Sequence, residues 1–200
     1  MNQLEEPDLS KTYSYADYLK WTFEGMVELI KGKVFMMSPA PLSIHQVIAG
    51  NLHGYLWQYL KKKPCQVFIA PFDVRLLNKD KSTADKDIFT VVQPDICIIC
   101  NPEQIDKRGC VGAPDMIAEV LSPGTSKKDI KDKYQVYEES GVKEYWIVAP
   151  QDQTLTIFDF DEYTGKYALR GLYSRENKVS VAVLPGFVLD LSEVFPEEEN

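Results

Sequence analysis

One stretch of the sequence restricts the fold more than any other, because it alternates buried-strand patterns with a helix pattern. The apolar runs 115–121 (DMIAEVL) and 144–149 (EYWIVA) are typical of buried strands. Between them, Ser126 predicts the start of a helix and Gly141 predicts its end. A strand, a helix and a second strand in this order indicate an α/β or α+β core around one mixed sheet.

A second helix and further strands are predicted on either side of this unit. Residues 43–62 carry apolar side chains at helical spacing, and Ser43 with Gln46 three residues later predicts a capping box. The other predicted elements are a helix at 14–20, a hairpin of 26–30 and 33–37, strands at 65–70, 72–77 and 91–100, and β segments at 154–160, 166–173 and 178–183.

We expect a single domain from residue 13 to residue 195, between a flexible acidic tail at 1–12 and an acidic tail at 196–200. With 200 residues, the chain can bury a hydrophobic core without a metal or disulfide staple. No apolar run approaches the roughly 20 residues that a membrane helix needs, and the polar, acidic N-terminal residues are unlike a signal peptide. A cytoplasmic protein without a membrane partner is therefore expected.

The four cysteines are predicted to be reduced and mostly buried. Cys97 and Cys100 form a C-x-x-C motif inside an apolar run. The other two cysteines, Cys65 and Cys110, lie elsewhere in the chain. In a strand, residues three apart point to opposite faces, so the motif is not expected to share a metal or a bridge. Buried thiols of this kind behave as small hydrophobic groups.

The net charge of −8 lies mostly at the two ends, because the body from 11 to 190 carries only −1. Two basic clusters stand out, Lys61 to Lys63 and Lys127 to Lys133. Affinity for phosphate depends on the local field more than on the total charge, so a nucleic-acid partner is not excluded. The alternative is that both clusters are ordinary solvated helix ends.

Three charged residues stand where the pattern is apolar. Asp95 and Glu119 interrupt strand runs, and Lys133 falls on the apolar stripe of its helix. A charge at such a position costs free energy unless it is paired or bound to a metal, and each of the three alone can be an ordinary buried ion pair. Together, two carboxylates and a lysine favour metal-dependent phosphodiester cleavage: the carboxylates hold Mg²⁺, the ion activates water, and the lysine orients that water or offsets transition-state charge.

Other candidates keep two interpretations each. His45, in the first turn of its helix, could contact phosphate, a water or Glu119, or be structural. Glu28, within the apolar segment VELI, could be a third carboxylate or the partner of a buried lysine.

Asp115 shares a strand face with Glu119 but lies about 13 Å along the strand, too far for one ion to bridge them. The aromatic side chains interpreted as core packing are Tyr134, Tyr137, Tyr145 and Trp146.

The order of these motifs resembles the Uma-two (Uma2) family of restriction-endonuclease-like proteins, within the PD-(D/E)XK nuclease superfamily. The resemblance extends from about Tyr13 to Phe195. The motifs that carry it are Pro94-Asp95, the run EVLSPGT beginning at Glu119, the spacing Asp129-x3-Lys133-x3-Tyr137, and GVKEYWIV beginning at Gly141.

The resemblance implies an α/β, restriction-endonuclease-like core of helix, three strands, helix and strand around a mixed sheet, with extra β hairpins. It implies Asp95 and Glu119 as ligands of Mg²⁺, with Mn²⁺ as an alternative. The superfamily motif has lysine two residues after the second carboxylate, where this chain has Leu121. The resemblance therefore assigns the catalytic lysine to Lys133, and we add His45 as an accessory residue.

These features together predict a Mg²⁺-dependent endonuclease that acts on phosphodiester bonds, with DNA as the expected substrate. A homodimer is expected by analogy, because one domain of this size needs a partner to cut both strands. Two alternatives stay open: a non-catalytic nucleic-acid- or protein-binding module that keeps the fold, and a nuclease acting on RNA or single strands. No helix places Arg or Asn for base readout, so the sequence does not support sequence-specific cutting.

Overall fold

The computed structural model describes residues 7–21, 26–37, 42–78, 82–123 and 127–197, and only the backbone of 127–129. Within these ranges there are three α-helices: α1 Tyr15–Tyr18, α2 Ser43–Leu60 and α3 Lys127–Ser140. The first eight strands are β1 Val27–Ile30, β2 Lys33–Met36, β3 Gln66–Ile69, β4 Val74–Leu76, β5 Thr90–Val92, β6 Ile96–Ile99, β7 Ile105–Asp106 and β8 Gly109–Val111. The other six are β9 Met116–Val120, β10 Glu144–Ala149, β11 Thr154–Asp161, β12 Lys166–Ser174, β13 Lys178–Ser180 and β14 Val188–Asp190.

These strands form two mixed sheets of six strands each, with β13 and β14 as a separate pair. The main sheet has the order β12-β11-β10-β9-β6-β3, and the second sheet has the order β2-β1-β5-β4-β8-β7. In the main sheet β9 and β10 are parallel and joined through α3, while their outer neighbours are antiparallel. The predicted α/β core around a mixed sheet is confirmed, and the second sheet is an addition that the sequence patterns did not predict.

The two long helices cover opposite faces of the main sheet. Leu52 of α2 packs in one core cluster with Ile96, whereas Tyr137 of α3 packs in another with Cys97. Successive strand residues face opposite sides, so the two clusters lie on opposite faces of the sheet. The α3 cluster also contains Val74 of the second sheet. Helix α3 therefore packs between the main sheet and the second sheet.

A bent two-stranded ribbon connects the sheets. Strands β3 and β6 pair in the main sheet, and the adjoining strands β4 and β5 pair in the second sheet. The predicted single strand over 91–100 is therefore two strands, β5 and β6, that belong to different sheets. Pro94 lies between them, and proline has no backbone N–H to give to a ladder. The bend places Asp95 at the start of β6, where the two sheets diverge.

The helix ends were predicted with mixed success. Gly141 has φ +77° and ends α3, with its N–H donating to the carbonyl of Glu138 at 3.1 Å. The capping box at Ser43 is wrong, because Leu42 is the N-cap and Ser43 is already helical. Ser126, the predicted start of α3, lies outside the described residues.

The prediction of four reduced cysteines is wrong for one pair. Cys65 and Cys100 form a disulfide. The β3–β6 register pairs Gln66 with Ile99, so the next residue outward on each strand is one of these cysteines, and they lie opposite each other. Cys97 and Cys110 are free and buried. Cys100 packs against the core on the α2 side of the main sheet, and Cys97 packs on the α3 side. The two cysteines of the C-x-x-C motif therefore face opposite sides of the sheet, as predicted.

The single-domain prediction and its two tails stay predictions, since residues 1–6 and 198–200 lie outside the described part of the chain. None of the three described helices combines the length and hydropathy that a membrane span requires.

Candidate active site

Asp95 and Glu119 lie opposite each other at the start of one strand and near the end of its neighbour. Strands β6 and β9 are antiparallel and pair Ile96 with Ala118, so the register places Asp95 opposite Glu119. Ile96 and Ala118 pack on the α2 side of the sheet, so Glu119, the residue after Ala118 on β9, faces α3. Oδ2 of Asp95 accepts a hydrogen bond from the backbone N–H of Val120 at 2.7 Å. This bond fixes the first carboxylate against the strand that carries the second.

Helix α3 brings a lysine and a tyrosine to Glu119. Nζ of Lys133 lies 3.0 Å from Oε1 of Glu119. The hydroxyl of Tyr137 donates to the same Oε1 at 2.6 Å. Lys133 and Tyr137 are four residues apart, so they project from one face of the helix. Helix α3 thus delivers two donors to one carboxylate oxygen.

Glu28 of β1 reaches the same lysine from the second sheet. Its Oε1 lies 3.0 Å from Nζ of Lys133 and accepts a hydrogen bond from the backbone N–H of Gln93 at 2.8 Å. The geometry bears out the interpretation of Glu28 as the partner of the lysine, and a role as a third carboxylate of the site stays a prediction. Lys133 therefore links the two sheets through one carboxylate from each.

His45 contacts Asp95 from the first turn of α2. Its Nε2 lies 3.3 Å from Oδ1 of Asp95. Its Nδ1 is buried and has no hydrogen-bond partner among the described residues. The hydrogen bond to Asp95 raises the pKa of His45 against the opposing effect of burial. The observed partner is thus Asp95 rather than Glu119.

The electrostatics of this cluster follow from burial and crowding of carboxylates. Burial raises the pKa of Glu119 to about 7, with Asp95 and Glu28 adding to the rise and Lys133 opposing it. Burial works to lower the pKa of Lys133, but Glu119 and Glu28 outweigh it and hold that pKa above its ordinary value. The lysine is therefore charged at every pH of interest.

The donor set fits a hard divalent cation. Nζ of Lys133 lies 3.0 Å from carboxylate oxygens of both Glu28 and Glu119, and the strand register places Asp95 opposite Glu119, so three carboxylates are grouped in this region. The described residues include no ready group of three or more His, Cys, Asp or Glu arranged around one metal position. Mg²⁺ commonly uses one or two carboxylates and keeps several waters, so a pair of carboxylates such as Asp95 and Glu119 is compatible with its preferences.

Other sequence-predicted residues lie away from this cluster. Asp115 accepts from the backbone N–H of Cys100 at 2.7 Å and pairs with Lys143 at 2.7 Å, so it anchors the start of β9. Lys131 is exposed on α3. The side chains of Lys127 and Lys128 lie outside the described part of the chain.

One family model matches most of the length of this chain. The family model Uma2, described as "Putative restriction endonuclease", matches residues 15–192. The chain belongs to the Uma2 family. The family predicted from the motifs EVLSPGT and GVKEYWIV is therefore confirmed.

Two relatives show how far sequences with this architecture diverge. A protein of Synechocystis sp., described as uncharacterized, is 21% identical over 145 residues, which are 71% of this chain and 71% of the relative. The crystal structure of "a putative nuclease belonging to DUF820" from Anabaena variabilis matches with a TM-score of 0.70 at 18% identity. The match covers 92% of this Uma2 chain and 97% of that chain, and at this identity it shows the fold.

Two residues of the candidate site were missed from sequence. Tyr137 was interpreted as core packing, although its spacing of four from Lys133 places both on one helix face. Gln93 carried no signal beyond its closeness to Asp95 in the chain. Its contribution is a backbone N–H, which no side-chain pattern reveals.

Proposed function

We propose that this Uma2 protein is a Mg²⁺-dependent endonuclease that hydrolyses phosphodiester bonds in DNA. The observation that carries the proposal is that Asp95 lies opposite Glu119 on neighbouring strands while Lys133 contacts Glu119 at 3.0 Å. Two carboxylates with an adjacent lysine supply the groups that metal-assisted phosphoryl chemistry requires. The match to a family of putative restriction endonucleases and the similarity to a putative nuclease from Anabaena support the same reaction class.

Each residue has a distinct role in this proposal. Asp95 and Glu119 would hold the cation, together with a backbone carbonyl near Val120. When bound, Mg²⁺ polarises the phosphoryl oxygen and lowers the pKa of its coordinated water. Lys133 donates hydrogen bonds that orient the attacking water and offsets negative charge on the transition state. His45 is an accessory group that holds Asp95 in place.

Two further residues position this machinery. Tyr137 fixes the orientation of the Glu119 carboxylate through its hydroxyl. Glu28 holds Lys133 from the opposite sheet. Both keep the side chains in productive geometry before substrate arrives.

Mn²⁺ substitutes for Mg²⁺ in this proposal, since both accept carboxylate and water ligands. The protein acts as a homodimer, which allows two sites to cut two strands. Light scattering coupled to gel filtration tests the assembly. A single species of 22.8 kDa at working concentration would contradict the dimer.

The decisive experiment compares metal binding and cleavage in matched carboxylate variants. Mg²⁺ and Mn²⁺ are titrated calorimetrically into wild type, Glu119→Gln and Asp115→Asn, and the same proteins are assayed on supercoiled plasmid. We expect Glu119→Gln to lose metal binding and nicking together. Asp115→Asn changes a carboxylate of the same region that lies off the site, and it is expected to keep both. A folded wild type that neither binds metal nor nicks DNA would refute the proposal.

A non-catalytic binding module is the second candidate, and one observation favours it. Lys133 already pairs with both Glu119 and Glu28 at 3.0 Å, as a purely structural charge network would. This candidate predicts salt-dependent DNA binding that neither Mg²⁺ nor Glu119→Ala alters.

A further inference from the structure

The main sheet ends on one side in a long strand, β12. Among the described residues, four strands lie at the edges of the two six-stranded sheets, and three of them are short: β2 and β3 have four residues each and β7 has two. The fourth, β12, has nine residues, and its one sheet neighbour in the described part of the chain is β11. Edge strands are commonly short, charged or covered, because their free backbone groups can pair with another chain. An edge of this length therefore indicates a place for a partner strand.

Two exposed leucines lie on one face of this edge. Leu169 and Leu172 are 62% and 66% exposed. Leu169 pairs with Phe158 of β11, and Leu172 pairs with Thr156, whose partner on β10 is Ile147. Phe158 and Ile147 pack with the core on the α3 side, and directly opposed residues share a face, so both leucines face that side. An irregularity in the β11–β12 register adds one residue between them, which is why residues three apart point the same way.

The backbone of β12 is satisfied within the chain at the two ends of its outer edge. The N–H of Tyr167 donates to Oε2 of Glu138 at 2.9 Å, and the N–H of Ser174 donates to a side-chain oxygen three residues later at 2.8 Å. One leucine lies two residues after Tyr167, and the other lies two residues before Ser174. Alternate residues of an antiparallel strand direct their backbone groups to the same edge, so the N–H groups of both leucines point outward between these two ends.

The cationic side chains on and next to β12 are compensated within the chain. Like charges that face each other across a strand pair are destabilising, so free cations here would keep two copies of the strand apart. The cations are instead held in the ion pairs Lys166–Glu138, Arg170–Glu144 and Arg175–Glu197, with nitrogen–oxygen distances of 2.8, 2.9 and 3.6 Å. The edge can therefore meet a second edge of the same composition.

We propose that β12 pairs antiparallel with β12 of a second copy of this chain, about a two-fold axis between Arg170 and Gly171. In this register Leu169 of each copy lies opposite Leu172 of the other, on the same face of the sheet. The outward N–H groups of the leucines join a new ladder, and the leucine side chains remove each other's apolar surface from water. The two main sheets become one continuous sheet. The inference rests on the proposed function, because it supplies the interface of the homodimer proposed there.

Sedimentation velocity over a series of protein concentrations tests the interface without a catalytic readout. Wild type is expected to sediment as a dimer of the 22.8 kDa chain. Leu172→Lys should raise the dissociation constant of the dimer at least about 100-fold, because the two-fold axis repeats the lost apolar contact. Trp57→Lys is the control, since Trp57 is 51% exposed on α2, on the other face of the main sheet, and this variant should leave the constant unchanged. A dimer that Leu172→Lys leaves intact would overturn the proposal.

Two matched double variants test the register. Leu169→Lys/Leu172→Glu brings opposite charges face to face across the two-fold axis, whereas Leu169→Lys/Leu172→Lys brings like charges together. We expect the first to dimerise at least about tenfold more tightly than the second. Net charge alone favours the reverse order, because added positive charge lowers the self-repulsion of a chain that carries −8. Circular dichroism checks that both variants are folded, and equal dissociation constants or tighter association of the second would contradict the register.

Nicking of supercoiled plasmid in Mg²⁺ is followed separately, so the interface and the proposed function can fail independently. If wild type is a dimer that the β12 variants do not dissociate, the interface is wrong, while the dimer and the nuclease proposal stand. If wild type stays monomeric, the interface and the dimer are both wrong, and nicking alone decides the nuclease chemistry. If the β12 variants dissociate the dimer as expected but wild type does not nick DNA, the interface stands and the nuclease proposal is wrong.

Discussion

The ammonium group of Lys133 lies 3.0 Å from the carboxylate of Glu119, although the two residues are 14 positions apart and belong to a helix and a strand. The superfamily motif has its lysine on the strand, two residues after the second carboxylate, where this chain has Leu121. Here a side chain from α3 reaches the same carboxylate from above the sheet. The ion pair between a helix residue and a strand residue therefore depends on how α3 packs on the main sheet.

Replacing the lysine should damage both stability and activity. In Lys133→Met, Glu119 and Glu28 lose their buried counter-charge, so we expect a loss of about 3 kcal/mol in the free energy of unfolding. Nicking should fall at least about 100-fold, because the transition state loses a donor. Urea denaturation in EDTA and a plasmid assay measure the two effects. Lys131→Met, on an exposed position of the same helix, is the control, and an equal loss of stability in both variants would contradict the buried network.

Removing the Tyr137 hydroxyl should eliminate its hydrogen bond to the Glu119 carboxylate while the aromatic ring stays packed in the core. Tyr137→Phe is expected to lower the free energy of unfolding by about 1.5–3 kcal/mol, the range for hydrogen bonds to charged groups. Tyr167→Phe is the matched control, since the buried Tyr167 hydroxyl has no hydrogen-bond partner among the described residues. Its removal should be neutral or stabilising. Chemical denaturation of both proteins at one pH checks the contrast, and similar losses in the two variants would argue against it.

The stability of the protein should depend on the ionisation of Glu144. This carboxyl is fully buried, and burial raises its pKa despite hydrogen bonds from Trp146 and Arg170. A raised folded-state pKa means that the contribution is complete below the unfolded value of 4.5 and is lost as the pH rises through the folded value. Glu144→Gln has no such titration. The stability of wild type relative to the variant should therefore decline as the pH rises above about 4.5, and denaturation curves from pH 4 to 8 that stay parallel would refute this.

The disulfide predicts a specific thiol count. Protein unfolded in guanidinium without reductant should react at two cysteines, Cys97 and Cys110, and at all four after reduction. Cys100→Ser should lower the free energy of unfolding by about 2–4 kcal/mol, since a cross-link restricts the unfolded chain. Cys110→Ser is the control for a single buried thiol. Four reactive thiols in the unreduced protein would show that the bond is absent.

Sequence patterns predicted the elements well where local chemistry decides them. Helix α2 runs from Ser43 to Leu60 against the predicted 43–62, and β10 has the predicted bounds of 144–149. Periodicity reports which face of an element is apolar, and the burial of Leu52 and Leu56 follows it. The failures lie where distant residues meet. The pairing of Cys65 with Cys100 needs the register of β3 on β6, which neither strand's sequence reveals.

The sequence by itself determined the family and the order of helices and strands. It also identified three charged residues at positions where the pattern is apolar, Asp95, Glu119 and Lys133. These follow from local patterns, because a charge in an apolar run costs free energy wherever the chain goes. Only the tertiary structure decided that Glu28 and Tyr137 join them. Lys133 meets Glu28 because α3 packs between the two sheets, and that packing depends on apolar contacts among residues far apart in the chain.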